Sequence, residues 1–416
     1  MIQKEDESFG RRLLFYLGIV FNVGILLYFK YLNFFIQSFV TLFNYNDAVN
    51  ISFTPFHILL PLGISFFTFQ MIGYLIDVYN EEINPTNDFL SFSTYLAYFP
   101  KILSGPIERV QDFLPQIQKK REFNYALTVD GLRQILWGLL KKSVLANNIM
   151  VITDSIFNDF HSMSGSTLFM GAILYSIGLY ADFSGYSDIA CGVSKLFNIK
   201  ITNNFAFPFF STNISSFWKR WHISLTSWMM NYVYTPLSFI TRDYKKVGLI
   251  LSINLTFLLV GLWHGANWTY VVFGLYQGLL FIPLIFRGSA LNNNELDVNK
   301  FGLPSLGDFL KIMRTFLLVT LGMIFFRAES IAQASQIFLE ISSSSFFSIP
   351  TIRPSYLFII ILVFLLVEWA GRTQEYAIEK LWLKYPKVLR WGIYYVIAMI
   401  IFLFGGKEQE FIYLQF

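Results

Sequence analysis

The chain has 416 residues, 55% of them hydrophobic and only 14% charged, and its mean hydropathy is positive. Its 31 basic and 27 acidic residues leave a net charge of +4, too small and too scattered to neutralise a phosphate backbone, which excludes nucleic acid as a partner. One cysteine and four histidines permit no internal disulfide and no cysteine-rich cage; no metal is expected, and any chemistry must come from few groups.

Taken in chain order, the uncharged runs outline a membrane protein. A polar start without a small-residue cleavage pattern precedes Leu13 to Phe29, which reads as a retained first span. Ala48 to Ile76, Phe160 to Ala181 and Trp221 to Thr241 follow. The longest run, Val247 to Phe286, has about twice the roughly 20 residues that a helix needs to cross ~30 Å of hydrocarbon, and predicts two spans or a span plus a re-entrant piece. Pro354 to Val367 and Trp391 to Gly406 complete the series, while Phe89 to Pro100 and Thr315 to Phe326 are shorter and predict tilted or half-buried pieces. Nothing shows the alternation of a transmembrane barrel. The expected fold class is all-α integral membrane: a polytopic bundle of roughly 9 to 11 transmembrane helices with re-entrant or short helices, forming one domain over 1–416.

Basic clusters at Arg11/Arg12, Lys119/Lys120/Arg121, Lys141/Lys142 and Lys245/Lys246 are candidates for the cytoplasmic face. Asn292 to Lys300 reads as a loop, and no internal repeat is visible.

Two histidines stand out. His264 lies in Gly-Leu-Trp-His-Gly, Gly261 to Gly265, between two apolar runs. It sits inside the bilayer, or at the far interface if Gly265 to Asn267 is a hairpin turn. Either place removes the ring from water and favours an uncharged imidazole able to accept a proton, as a general base must. The competing reading is a hydrogen-bonded packing histidine. His222 lies in Phe217-Trp-Lys-Arg-Trp-His-Ile-Ser-Leu225; if that stretch is helical, Trp218, His222 and Leu225/Thr226 share a face. Trp218 and Trp221 read equally as an interfacial belt. His57 and His161 lack such framing. Asp182 and Asp188 flank Phe-Ser-Gly-Tyr-Ser and suggest a proton relay or ion site, or, more in keeping with neighbouring serines, helix-end hydrogen bonding. Asp77 reads as interfacial, and Cys191 as a small packed group.

Trp-Lys-Arg-Trp-His at 218–222, followed by Leu-Trp-His-Gly at 262–265, resembles the membrane-bound O-acyltransferase family, and its alginate O-acetyltransferase branch more closely than the D-alanyl transferases. The resemblance continues at LPLGISFFTFQMIGYLIDVY from Leu60, YFPKILSGPIERVQDFLPQ from Tyr98, ADFSGYSDIACG from Ala181, NNFAFPFFSTNISSFWKRWHISLTSW from Asn203, GLWHGANWTYVVFGLYQG from Gly261, IFFRAES from Ile324 and the terminal FIYLQF. It implies a helical bundle around a tunnel, with the acyl donor entering from the cytoplasm and the hydroxyl acceptor from outside. It maps the family's two functional histidines onto His264 and His222, with Trp218, Trp221, Ser224, Trp263 and Asn267 near enough in sequence to line a substrate site. It implies no tightly bound cofactor, acetyl-CoA or another acyl thioester as donor substrate, and a multi-pass place in the bacterial inner membrane. The acceptor it implies is a polysaccharide or a separate extracytoplasmic acetyltransferase.

Two departures accompany the resemblance. Where relatives commonly carry an Arg-Asp pair after the first histidine, this chain reads Trp228-Met-Met-Asn231-Tyr232, so any ion pair there is expected to be lost. The chain also begins where a third helix of those relatives would begin. A polytopic transporter or exporter is the competing class; it favours repeated halves and ionisable groups buried mid-span, whereas the polar residues here gather in two Trp-His motifs.

Overall fold

The computed structural model describes residues 9–44, 51–289, 298–299, 302–407, 409 and 411. Most of the polar N-terminal stretch, of the Asn292 to Lys300 loop and of the terminal FIYLQF lies outside the described residues.

Helices dominate, as lipid demands of a backbone that must satisfy its own hydrogen bonds. In chain order they are α1 Phe9–Leu26, α2 Leu32–Asn44, α3 Ile64–Tyr79, α4 Phe89–Ala97, α5 Val110–Gln118, α6 Tyr125–Leu139, α7 Asn147–Asn158, α8 Gly165–Leu196, α9 Ile214–Trp218, α10 Ile223–Met229, α11 Thr235–Ile240, α12 Lys245–His264, α13 Trp268–Leu279, α14 Ile282–Phe286, α15 Leu306–Arg327, α16 Ile331–Ile341, α17 Ser355–Gly371 and α18 Lys387–Phe404. Widened π turns at Leu27–Tyr31, Leu140–Ala146 and Met230–Tyr234 join α1 to α2, α6 to α7 and α10 to α11 without a break. Among the described residues seven helical stretches are long and apolar enough to cross a membrane, and α3 and α17 are shorter apolar helices. The all-α polytopic class is as expected, whereas the seven long stretches are fewer than the 9 to 11 membrane helices predicted. The uncharged run Val247 to Phe286 divides as expected, into α12 and the α13–α14 pair, with Gly265 to Asn267 as the turn between them.

Four elements differ from the sequence reading. Of the run Ala48 to Ile76, the described residues 51–76 are helical only from Ile64, because Pro55 and Pro61 interrupt it and Gly63 turns in the left-handed region at φ 70°. Lys141 and Lys142 do not mark a face: they lie inside the stretch Tyr125–Asn158, where Lys141 Nζ meets Asp188 at 2.5 Å and Lys142 pairs with Asp182. Asp182 and Asp188 accordingly lie in the middle of α8 rather than at a helix end. The helix through Trp218 and His222 is broken, with α9 ending at Trp218 and His222 itself left-handed at φ 45°.

The α6–α8 pair forms the centre of the bundle through reciprocal glycines. A Cβ on Gly131 would stand 2.6 Å from the Gly192 carbonyl and one on Gly192 2.6 Å from that of Gly131; Gly138 and Gly185 repeat the relation one heptad along, at 2.6 and 2.9 Å. Small residues let membrane helices approach to backbone contact, where dispersion accumulates in place of a hydrophobic force. Gly261 and Gly274 do the same between α12 and α13, and so fix the end of α12 that carries His264.

Successive helices give the bundle two unlike ends. One gathers Arg11 against Glu81 at 2.9 Å, Lys195 against Asp130 at 2.7 Å, and the starts of α12 and α15 with Lys245, Lys246 and Lys311. The other joins the end of α12 to that of α15, where Asn267 Nδ2 donates to the Glu329 carbonyl and Arg327 pairs with Asp154 at 2.9 Å. The second end is poor in Lys and Arg.

Candidate functional site

His264 is the last residue of α12, and Gly265 continues in extended conformation, so the carbonyls of the final turn lack intrahelical donors. Two consecutive residues of the first π turn supply them. Tyr31 Oη donates to the Leu262 carbonyl at 2.6 Å, and Lys30 Nζ to the Trp263 carbonyl at 2.6 Å. His264 is 3% exposed. Its ring lies 5.1 Å from Phe326, 5.1 Å from Trp263 and 6.1 Å from Phe273, centroid to centroid.

His222 is reached by a different construction. The segments around Phe205 and Trp221 pair as an antiparallel bridge, Ala206 N donating to the Arg220 carbonyl and Ile223 N to that of Asn204. This holds His222 in its left-handed conformation, which a non-glycine residue adopts only where its surroundings compel it. The His222 ring packs edge-on to Phe183 at 4.7 Å and to Trp263 at 5.7 Å. The Trp263 indole therefore touches both imidazoles.

At the Lys/Arg-poor end lies a cleft of about 760 Å³, bordered by Lys30, Gly265, Asn267, Tyr270, Phe326 and Arg327; the buried His264 does not itself line it, and its ring packs against one of the walls, Phe326. Of the sequence candidates, His264, His222 and Trp263 come together, and Asn267 stands at the mouth, where its Oδ1 caps α13 by accepting from Thr269 N at 3.0 Å. The others lie elsewhere. Trp218 donates from Nε1 to Gln277 Oε1 at 3.3 Å and borders a separate apolar slot with Met229, Val260 and Phe281. Trp221 stacks on Phe217 at 5.4 Å in the core. Ser224 Oγ accepts from Ile107 N at 2.9 Å and ties the 98–109 loop to α10. His57 and His161 are exposed, and Cys191 is buried with its thiol directed at the Thr202 carbonyl.

Three contributors were not found from sequence: Phe326, Tyr270 and Lys30. Phe326 and Tyr270 are indistinguishable from other aromatics on apolar helices. Lys30 carried a signal, being the charge that ends the first apolar run. In the stretch after α10, Tyr232 donates to Asp77 Oδ1 at 2.7 Å, and Arg109 reaches the same carboxylate at 3.4 Å and Glu82 at 3.0 Å.

Residues 81–293 match the model of the membrane-bound O-acyltransferase family. The chain is 32% identical to a probable alginate O-acetylase of Pseudomonas syringae, over 77% of this chain and 59% of that protein. It is 33% identical to a peptidoglycan O-acetyltransferase of Helicobacter pylori, over 81% and 66% respectively. A teichoic acid D-alanyltransferase of Bacillus subtilis is 32% identical over 50% of this chain and 55% of its own length. The chain thus spans about three-fifths of the alginate O-acetylase, and the broader coverage falls on the O-acetylating relatives, as the motifs imply. With the family model covering half of its length, the chain belongs to the membrane-bound O-acyltransferase family.

Proposed function

We propose that this protein is a membrane-embedded O-acyltransferase that moves an acetyl group from a thioester donor, acetyl-CoA, to a hydroxyl on the far side of a bacterial inner membrane. The observation that carries the reading is a buried histidine, His264, whose ring packs on Phe326, a wall of the cleft at the Lys/Arg-poor end of the bundle. Lys and Arg favour the cytoplasmic side, so that cleft faces outward and receives the acceptor.

In this mechanism His264 takes the proton of the acceptor hydroxyl as its oxygen attacks the thioester carbonyl carbon. The tetrahedral intermediate collapses with cleavage of the C–S bond, and the imidazolium returns the proton to the departing thiolate. Base catalysis of this kind typically contributes about 10²- to 10⁴-fold. His222, across the Trp263 indole, orients the acceptor or steadies developing charge, and Asn267 meets the acceptor at the mouth. The aromatic cage of Trp263, Phe273 and Phe326 keeps bulk water from the base. The donor arm approaches from the opposite side, along the apolar slot bordered by Trp218 and Val260. Trp221 and Ser224 support the segment that carries His222.

The alginate and peptidoglycan names of the relatives favour a cell-envelope polysaccharide as final acceptor, reached directly or through a separate extracytoplasmic acetyltransferase. Sidedness tests the reading. In oriented membrane vesicles with an acceptor glycan on the other side, acetyl-CoA supplied at the Lys/Arg-rich face should release free CoA; release only when acetyl-CoA is supplied at the opposite face contradicts it.

A further inference from the structure

An ammonium group inside a membrane protein is costly and is rarely kept without a task. Lys30 is such a group. It lies in the π turn Leu27–Tyr31, within a stretch long and apolar enough to span the membrane, and borders both the cleft walled by Gly265 and Phe326 and a second groove along α2. Its hydrogen bonds go to the Trp263 carbonyl at 2.6 Å and, more weakly, to Ser65 Oγ at 3.4 Å. Neither partner is a carboxylate, so simple charge neutralisation does not explain its position.

We infer that Lys30 is a positioning residue for His264, holding the peptide that joins Trp263 to the base. The argument rests on His264 acting in acyl transfer, as proposed above. The carbonyl that Lys30 holds belongs to that peptide, so the ammonium fixes the plane from which the His264 side chain departs. A cation also suits the negative end of the α12 dipole. The π turn is the device that makes this possible: its extra residue widens the turn and presents Lys30 and Tyr31 to adjacent carbonyls of one helix end, 262 and 263. Such turns recur where a helix is adapted to a site.

The test compares wild-type protein with Lys30→Met, Lys30→Arg and Tyr31→Phe, purified in detergent. Two readouts are used: turnover of acetyl-CoA, and the rate at which diethyl pyrocarbonate modifies His264, followed by peptide mass spectrometry. A misplaced base costs about 10²-fold in rate. Lys30→Met should therefore lose kcat on that scale while KM for acetyl-CoA stays within about twofold, and His264 should react at a severalfold different rate. Lys30→Arg, which keeps a cationic donor, should recover most of both. If Lys30→Met does not fold, Tyr31→Phe, which removes only the companion bond, should move both readouts in the same direction to a smaller extent. Wild-type kcat per folded molecule and an unchanged modification rate in these variants would overturn the inference, as would a loss confined to thermal stability. Should wild-type protein fail to turn over acetyl-CoA at all, the acyl-transfer reading fails, while the modification rates still decide whether Lys30 positions His264.

Discussion

The His264 ring meets Phe326 edge-to-face with centroids 5.1 Å apart, and Phe326 is at once the partner of the base and a wall of the cleft. Phe326 packs in turn on Tyr270 at 5.1 Å and Phe273 at 5.2 Å and is 3% exposed. Truncating it does two things. Phe326→Ala should lower stability by about 3–5 kcal/mol, the usual cost of emptying an aromatic site. It should also admit water to His264, so that acetyl-CoA hydrolysis without acceptor rises above the wild-type level. Thermal denaturation in detergent and acceptor-free thiol release measure the two effects; an unchanged hydrolysis rate would contradict the proposed water barrier.

The contact between α6 and α8 makes a sharper prediction about stability. Gly138→Val places side-chain atoms where a backbone carbonyl already stands, since even a Cβ there lies 2.6 Å from the Gly185 oxygen. A loss of about 1–3 kcal/mol or more is expected. Gly24→Val is the matched control, because nothing lies within 4 Å of a Cβ at that position. Comparable melting temperatures for the two variants would show that the α6–α8 approach is looser than described.

Between those two helices lies a charged pair whose members should not be removed singly. Lys141 Nζ contacts Asp188 Oδ2 at 2.5 Å and Ser184 Oγ at 2.9 Å, and Gln134 Nε2 donates to the same aspartate at 2.9 Å. Either Lys141→Met or Asp188→Leu leaves one buried charge without its partner, which costs about 3–5 kcal/mol. The double variant removes both charges and should be more stable than either single variant. Denaturation midpoints of the three proteins check this; a double variant less stable than both singles would count against it.

These pairs also explain what the sequence could and could not reveal. Runs free of charge, such as Val247 to Phe286 and Trp391 to Gly406, correspond to helices because the hydrocarbon layer selects against charge along a span. The stretch Tyr125–Asn158 escaped notice as a span because Lys141 and Lys142 interrupt it, and their partners Asp188 and Asp182 lie on α8, some 40 residues or more away in sequence. Long-range pairing of this kind leaves no local pattern. The same holds at the site. His264 and His222 were legible from their Trp-framed motifs, whereas the left-handed turn at His222 depends on pairing with the segment around Phe205. Lys30 gave only the signal of a charge beside an apolar run. Its partner lies 233 residues along the chain.

Tyr232 offers a test of the contact that ties the turn after α10 to α3. Its hydroxyl donates to Asp77, which Arg109 also reaches. Tyr232→Phe removes one bond to a buried charged group and should destabilise the protein by about 1.5–3 kcal/mol while leaving KM for acetyl-CoA unchanged. A raised KM with unaltered melting would instead assign Tyr232 to the donor site.

The most direct measurement of the central claim is transfer of labelled acetyl from acetyl-CoA to an acceptor glycan, by purified wild-type protein and by His264→Ala, with folding of both checked by thermal denaturation. The account predicts label on the acceptor with wild-type protein and a loss of about 10²-fold or more with a folded variant. Equal transfer by a folded His264→Ala protein would contradict it.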